Sequence, residues 1–329
     1  MQNKRLSYGA VLISMIALFG SAEGGCSCRG GGDDAWGGQA WLEDALGGSM
    51  GLAAGAAEAD AGAASGEDNV AEDEMRIASY EASSDIDDDP RPWSISAEEL
   101  RARLNREPKP IVAYVSNLPP QGSYIAGSIK LPSKSLINGD GSLRSPEDMA
   151  TVLGRAGMTE EDELVIYGDC FSCGDMTFVF WIMKHLGHRD VAVLRGSEQE
   201  WSAAGLSLSG ATSTMAEAVY TPDPRPDLLA DYESVAAGVY QVVDARTPDQ
   251  FKAGFIPGAV NIDYHRVVEG SWLKGDSALA GIFADLDEDK PVAVYTKNGG
   301  AASIVWYALK LQGRDARLYT WNDWRSHQG

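Results

Sequence analysis

The chain has 329 residues, of which 48 are acidic and 27 basic, so its net charge is −21 at pH 7. Residues 26–91 hold 16 acidic and 3 basic residues, net −13, which leaves about −9 for residues 92–329. Neither part offers the basic surface that a phosphate backbone requires, which argues against a nucleic-acid partner. The length allows two domains, each with its own core.

An export signal is predicted at the N-terminus. Lys4 and Arg5 precede an apolar run at 10–22 that is short for a membrane span and is followed by small residues. Cleavage after Ala22 would release the chain, whereas cleavage before Cys26 would create a lipid anchor, as in bacterial lipoproteins. An uncleaved anchor is the third alternative. Each places the protein outside the cytoplasm, in the periplasm or on a membrane of a bacterial cell envelope.

The composition divides the chain into four parts. Residues 26–89 are rich in Gly, Ala, Asp and Glu and show no sustained period of 2 or 3.6. Such a segment cannot bury enough apolar surface to offset its ordering entropy. We predict a signal segment over 1–25, an acidic tether over 26–89, and folded domains over 90–212 and 213–329.

In the first folded domain, strand patterns alternate with helix patterns. Ser96 and the acidic residues after it predict the start of a helix. The later patterns are β-type at 111–115, 164–167 and 191–194, and helical at 145–157 and 176–186. Alternation of this kind predicts an α/β fold, with a parallel sheet flanked by helices.

The same order recurs after a proline-rich connection. The patterns are β-type at 240–243, 292–295 and 316–319, and helical at 248–253 and 301–311. Landmarks repeat at separations of 123 to 131 residues, pairing Tyr114 with Asp244, Tyr124 with Phe255, Tyr167 with Tyr295, Gly187 with Gly313, and Trp201 with Trp324. The chain therefore contains an internal duplication, and its two halves can differ in role. We expect the two tryptophans to be core residues.

Six segments carry a family resemblance. The second half contains VVDARTPDQFKAGFIPGAVNI, VAVYTKNGGAAS and LKLQGRDARLY, and the first half contains YIAGSIKLP, SPEDMATVLGRAGMTEEDELVIY and LGHRDVAVLRGSEQEW. Over about 92–329 the chain resembles the tandem rhodanese-like proteins, the family of thiosulfate sulfurtransferases. The resemblance implies two rhodanese-like domains. It also implies an active cysteine directly after the strand's aromatic residue, wrapped by a loop with glycines and basic residues.

By this resemblance the catalytic position of the second half holds Thr296, followed by Lys297, Asn298, Gly299 and Gly300. A hydroxyl needs a neighbouring base to act as a nucleophile, and no histidine lies in the loop. The second site is therefore predicted to be degenerate. Either its cradle persists as an anion pocket with charge from Lys297, or Thr296 merely caps the following helix.

The cysteines of the folded region, Cys170 and Cys173, lie in the first half. Counting forward from Tyr167 puts Gly168 in the catalytic position. Counting back from Gly187 puts Cys170 there, which would require a bulged strand end.

A thiolate at Cys170 could attack a sulfane sulfur, hold it as a persulfide and pass it to a thiol, with Cys173 as resolving thiol or disulfide partner. The predicted cradle around them consists of Gly168, Asp169, Phe171, Ser172 and Gly174. Asp169 and Asp175 flank the loop, so their charges would raise the pKa of the thiol and repel thiosulfate.

Two further patterns have structural explanations. Asp244 and Arg246 resemble the family's buried Asp-x-Arg pair, which would orient the neighbouring loop. The cysteines and the histidines at 185 and 188 approach a zinc-finger spacing, but a helix between them would hold the two pairs about 18 Å apart. We therefore expect no metal here, and no cofactor.

Three functions remain open. The first is a sulfurtransferase or persulfide carrier that uses Cys170. The second is a catalytically silent binding module of the cell envelope, which uses the inherited pockets for an anion or a protein partner. The third is a thiol–disulfide redox pair of Cys170 and Cys173. The expected partners are a small sulfur donor or thiol acceptor, or an unidentified protein. Contact with a membrane is expected only through an N-terminal lipid or signal anchor.

Overall fold

The computed structural model describes residues 92–328. The predicted signal segment, the acidic tether and the lipidation site Cys26 lie outside the described residues. Within the described range, no helix is both long and apolar enough to cross a membrane.

Strands and helices alternate along the described chain. The strands are β1 (Ser94–Ile95), β2 (Ile111–Tyr114), β3 (Tyr124–Ile125), β4 (Ile129–Lys130), β5 (Leu164–Tyr167), β6 (Val191–Leu194), β7 (Leu208–Ser209), β8 (Gln241–Asp244), β9 (Val260–Asn261), β10 (Val268–Glu269), β11 (Trp272–Leu273), β12 (Val292–Thr296) and β13 (Ala316–Thr320). The helices are α1 (Ala97–Leu104), α2 (Pro146–Arg155), α3 (Asp175–His185), α4 (Glu198–Ala203), α5 (Tyr232–Ala236), α6 (Pro248–Lys252), α7 (Asp276–Ile282), α8 (Ala302–Leu311) and α9 (Trp321–Ser326). Short 3₁₀ helices lie at Ser133–Leu136, Phe171–Cys173, Pro226–Leu228 and Tyr264–Val267.

Two parallel sheets form the centres of the two domains. The first has the strand order β1-β6-β5-β2-β4, and the second has the order β13-β12-β8-β9. The central strands β5 and β12 are buried along their whole length, because helices cover both faces of a parallel sheet. The predicted tandem α/β fold is confirmed, and each predicted strand lies within one residue of its observed bounds.

The helix starts follow from their capping residues. Ser96 accepts a hydrogen bond from Glu99 N, and Glu99 Oε2 accepts one from Ser96 N, which forms a capping box. Ser145 caps α2, whose first residue is Pro146, a residue well suited to that position. The predicted helix at Ser96 is confirmed.

The domains meet along α3 and α8, and every described side chain of α3 is buried. A helix with apolar residues around its whole circumference is typically buried on all sides. One face of α3 packs on the first-domain sheet, and another packs on the second domain. Thr177 Oγ1 lies 2.7 Å from Ser303 Oγ across this contact. Trp93 stacks on Trp306 at 5.6 Å. The two domains therefore share one continuous apolar core.

Candidate functional site

The first candidate loop, 168–174, connects β5 to α3 at the carboxyl end of the first sheet. β5 pairs with β2 without interruption as far as Tyr167, and Val115 N donates to Tyr167 O at 3.0 Å. In the second domain Ala245 N donates to Tyr295 O at 2.9 Å, so the two tyrosines mark the same strand position. The bulge that would bring Cys170 into the strand is absent from this pairing, and the extra residues lie in the loop.

Gly168 takes the position directly after the tyrosine, and there is no room there for a larger side chain. A Cβ atom on Gly168 would lie 2.6 Å from Ser116 Oγ and 3.5 Å from Met176 Cγ. Ser116 thus fills the space that a side chain in the usual catalytic position would need. The thiols of this domain lie further along the loop.

Cys170 and Cys173 are joined by a disulfide bond, with their Cα atoms 5.4 Å apart. Cys170 is 8% exposed and precedes the 3₁₀ turn Phe171–Cys173. Gly174 then adopts a φ of +83°, which turns the chain into α3. The pair therefore lies at the N-terminus of an 11-residue helix, where the helix dipole favours a thiolate once the bond is reduced.

The two acids beside the loop are held by hydrogen-bond donors. Asp169 is exposed, and its Oδ2 accepts from Tyr114 OH and Gln121 N, each at 3.1 Å. Asp175 is buried, and its Oδ1 accepts from Ser133 Oγ at 2.6 Å and from Asn117 Nδ2 at 3.0 Å. Burial raises the pKa of Asp175 to about 6, although hydrogen bonds from the Ser133 side chain and the Asn117 backbone act in the opposite direction. Sequence reasoning missed Asn117 and Ser133, since nothing in their spacing links them to Asp175.

Replacing Asp175 by Asn is expected to stabilise the protein more at about pH 7.5 than at about pH 4. The pKa of Asp175 is near 3.8 in the unfolded chain and about 6 in the folded protein. The folded state therefore binds more protons between these values, so the wild type loses stability as the pH rises through them, whereas the neutral amide does not. The effect of the substitution should differ by about 2 to 3 kcal/mol between the two pH values.

Urea unfolding of the wild type and Asp175→Asn at both pH values measures this difference. Asp285→Asn, at an exposed position, removes the same charge and should show almost no such change. His188, whose pKa burial lowers to about 4, is present in all three proteins and cancels from the comparison. A parallel pH dependence in wild type and Asp175→Asn would contradict the prediction.

A small cavity of about 160 Å³ lies beside the first loop. Gly168, Asp169 and Phe171 line it on the loop side, and Trp272 lines it from the second domain. The Phe171 and Trp272 rings are 4.4 Å apart, so the β10–β11 ribbon of the second domain covers the first-domain loop. No Lys or Arg is among the described residues that line this cavity.

The second candidate loop follows Thr296, which is the last residue of β12 and fully buried. Thr296 Oγ1 accepts a hydrogen bond from Ala302 N, the first residue of α8, at 3.4 Å. The N-cap residue of α8 is Ala301, which has no side-chain hydrogen bond to the helix, so Thr296 contacts the helix start from five residues before the cap. Lys297 is exposed, and Gly299 has a φ of +90°.

The two loops contact each other. A Cβ atom on Gly174 would lie 3.0 Å from Gly300 O and 3.5 Å from Ala301 Cα. Gly174 thus allows the backbones of the two helix N-termini to approach closely, so each domain's loop forms part of the other's surroundings.

Asp244 and Arg246 form the expected buried pair. Arg246 Nε and Nη2 donate to the Asp244 carboxylate at 2.9 and 2.6 Å, and Arg246 Nη2 also donates to Gly254 O at 2.7 Å. The hydroxyl of Tyr295 donates to the same carboxylate. Because Tyr295 directly precedes Thr296, the pair fixes the start of the second loop.

The remaining predicted positions have structural surroundings. Trp201 is buried, and its Nε1 donates to Arg195 O at 3.1 Å, while Trp324 is also buried, so both are core residues as predicted. His185 ends α3, whereas the cysteines precede that helix. His188 Nδ1 lies 3.2 Å from Tyr220 OH. Among the described residues, no three His, Cys, Asp or Glu side chains form a metal-binding group.

Comparison with known proteins gives the fold a family context. Residues 229–327 match the family described as Rhodanese-like domain. The chain is 26% identical over 243 residues to "Putative thiosulfate sulfurtransferase 1" of Mycobacterium bovis, which covers 63% of this chain and 84% of the relative. It is 27% identical over 256 residues to "Putative thiosulfate sulfurtransferase SseB" of Mycobacterium tuberculosis, which covers 70% of this chain and 88% of the relative.

Two solved structures have the same fold. The 3-mercaptopyruvate sulfotransferase SseA of Escherichia coli matches with a TM-score of 0.63 at 21% identity, over 70% of this chain and 99% of its own. The Tum1 protein of Saccharomyces cerevisiae matches with a TM-score of 0.63 at 18% identity, over 72% of this chain and 96% of its own. The chain therefore has a tandem rhodanese-like fold. Its sequence relatives, which are named as putative thiosulfate sulfurtransferases, support the assignment of the chain to the rhodanese-like sulfurtransferases.

Proposed function

We propose that the protein is a sulfurtransferase or persulfide carrier that uses Cys170 of its first domain, and that its second domain is catalytically degenerate. The observation that carries the proposal is the position of the Cys170–Cys173 pair, in the 3₁₀ turn that leads into α3 and next to Asp169 and Phe171, which line a cavity. In the second domain the residue directly after the strand's tyrosine is Thr296, which offers a buried hydroxyl in place of a thiol. The helix N-terminus supplies the positive potential that the loop lacks in side chains.

The proposed reaction begins with the reduced pair. The Cys170 thiolate attacks the outer sulfur of thiosulfate, a sulfur–sulfur bond forms to Cys170, and sulfite leaves with the electron pair of the broken bond. The resulting persulfide then passes its outer sulfur to an acceptor thiolate, which regenerates the Cys170 thiolate. No net oxidant or reductant is needed in this cycle.

Cys173 provides a second outcome for the persulfide. Its thiol can attack the Cys170 sulfur, release hydrogen sulfide and leave the Cys170–Cys173 disulfide, which is the bond that the structure contains. A reducing thiol must then restore the pair. Such a disulfide is typical of an oxidising compartment, which the predicted export signal would supply.

Mass measurement of the reduced protein after incubation with thiosulfate or a polysulfide tests the proposal. We expect a gain of one sulfur atom on the peptide that contains Cys170, since mapping separates it from Cys26 and Cys28. Cys170→Ser should lose this gain, because the serine hydroxyl has no neighbouring base to activate it. The proposal fails if the reduced wild type gains no sulfur from either donor.

A redox pair is the second candidate, and the disulfide itself favours it. A defined reduction potential without any sulfur uptake would select that function over sulfur transfer. A silent binding module would instead keep its partner binding when both cysteines are replaced.

A further inference from the structure

The two sulfurs of the Cys170–Cys173 disulfide have unequal surroundings. Cys170 is 8% exposed, whereas Cys173, at the end of the 3₁₀ turn, is partly exposed. A thiol that reduces a disulfide must reach one of its two sulfurs, form a bond to it and expel the other as a thiolate. The choice of the attacked sulfur therefore decides which cysteine is set free first.

Both domains contribute to the burial of Cys170. The residue after it, Phe171, is 3% exposed, and its ring lies 4.4 Å from the ring of Trp272 on the second-domain ribbon. Two residues before it, Gly168 is buried against the side chain of Ser116. An incoming thiol needs open space beside the sulfur that it attacks, so access favours attack on the partly exposed cysteine.

A hydroxyl group lies at the sulfur of Cys170. Ser172 Oγ is 3.5 Å from Cys170 Sγ. Since a sulfur atom in a disulfide carries no hydrogen, the Ser172 hydroxyl is the donor in this contact and Cys170 Sγ is the acceptor. A hydrogen bond to an atom that gains negative charge becomes stronger as the charge develops. The contact therefore favours departure of Cys170 as a thiolate, which again places the attack on Cys173.

Each sulfur also has a carboxylate nearby in the sequence, so charge repulsion acts on both. Asp169 directly precedes Cys170 and is exposed, so water and salt screen its charge. Asp175 lies two residues after Cys173 and is buried, where screening is weaker. Repulsion from the acids therefore does not cancel the preference for a thiolate at Cys170.

We propose that an external thiol reduces the disulfide by attack on Cys173, and that the Ser172 hydroxyl directs this choice by stabilising Cys170 as the leaving thiolate. The external thiolate forms a sulfur–sulfur bond to Cys173 Sγ, and the bond between the two cysteines breaks with its electron pair on Cys170. A second external thiolate then attacks the first at its sulfur and releases Cys173 as a thiolate. The two external thiols leave as their own disulfide, so they are oxidised and the protein is reduced.

This order of release deepens the proposed function, and it rests on that function for one consequence. The sulfur freed first is Cys170, the proposed carrier. While the external thiol still occupies Cys173, that cysteine cannot attack a persulfide on Cys170 and re-form the disulfide. The site of thiol attachment can be measured without any sulfur donor, so it tests this inference separately from sulfur uptake, which tests the proposed function.

Glutathione serves as the external thiol in the test. The oxidised full chain is mixed with excess glutathione, quenched in acid after increasing times, and treated with N-ethylmaleimide to block free thiols. Peptide mapping separates the loop peptide from the N-terminal cysteines, and fragmentation between Cys170 and Cys173 locates each group. At the earliest times we expect glutathione on Cys173 and maleimide on Cys170, about tenfold more abundant than the reverse product.

Ser172→Ala should lower the ratio of the two products by roughly threefold to tenfold, because the hydrogen bond to the leaving thiolate is lost. Ser172→Thr keeps a hydroxyl and should restore the ratio. Ser213→Ala removes the hydroxyl of an exposed serine outside the loop and should match the wild type. The proposal is overturned if glutathione maps mainly to Cys170 or equally to both cysteines, if excess glutathione leaves the disulfide intact, or if Ser172→Ala keeps the wild-type ratio.

Discussion

Without any reductant, Cys173→Ser is expected to take up about one sulfur atom per protein from thiosulfate, whereas the wild type takes up none. In the wild type both sulfurs are bonded to each other, so no thiolate exists at Cys170. The substitution leaves Cys170 as a thiol before the 3₁₀ turn that leads into α3, where the dipole of the helix N-terminus promotes its ionisation. The change from no reaction to a full equivalent is the largest functional effect we expect from one substitution.

Peptide mass under non-reducing conditions measures the uptake, and released sulfite should match it mole for mole. The free thiols of each variant are counted before thiosulfate is added, because a disulfide between two molecules through the remaining cysteine would prevent sulfur uptake. Cys170→Ser is the matched control, because it removes the same disulfide but leaves its free thiol at Cys173. Uptake by the oxidised wild type, or equal uptake by the two variants, would exclude Cys170 as the specific carrier.

The fold was predictable because its signals are local. Each central strand is an apolar run bounded by turn residues, as at 164–167 and 292–296, and the repeated landmarks required the same topology twice. The capping pattern at Ser96 likewise fixed a helix start within one turn. These features depend on neighbours in sequence, so spacing alone reveals them.

The site was less predictable because its contacts are remote in sequence. Asn117 and Ser133 hold Asp175 from 58 and 42 residues away. Whether the extra residues before Cys170 lie in the strand or in the loop depends on the pairing of β5 with β2, which the sequence does not show. The disulfide, similarly, depends on how the loop brings two thiols together and on the redox compartment.

The two loops have diverged in complementary ways. The first holds a disulfide next to residues that line a cavity of about 160 Å³, and the second has the buried hydroxyl of Thr296 two residues before Asn298, which lines a cavity of about 830 Å³. Each cavity is partly lined by the other domain, so neither domain alone provides a complete site. The second loop has Thr296 where the first-half cysteines would suggest a thiol, and a cavity lies next to that loop in the structure.

Arg246→Ala is expected to lower the free energy of unfolding by about 3 to 5 kcal/mol, because it leaves a buried carboxylate without its counter-ion. Asp244 is fully buried, and Arg246 donates to it through two nitrogens. The arginine also lies 4.4 Å over the ring of Trp321, so packing is lost together with the charge. Tyr295 is the side-chain donor that would remain for the carboxylate.

The chain contains a matched control in Arg225, which donates to Asp227 two residues away at 3.0 and 3.1 Å. This pair has the same two-bond geometry, but its side chains are 25% and 24% exposed. Water can solvate Asp227 when the arginine is removed, so Arg225→Ala should cost about 1 kcal/mol or less. Chemical denaturation of both variants gives the comparison. Similar losses in the two would show that burial of the carboxylate does not determine the cost, and that Asp244 is stabilised by the surrounding backbone rather than by its arginine.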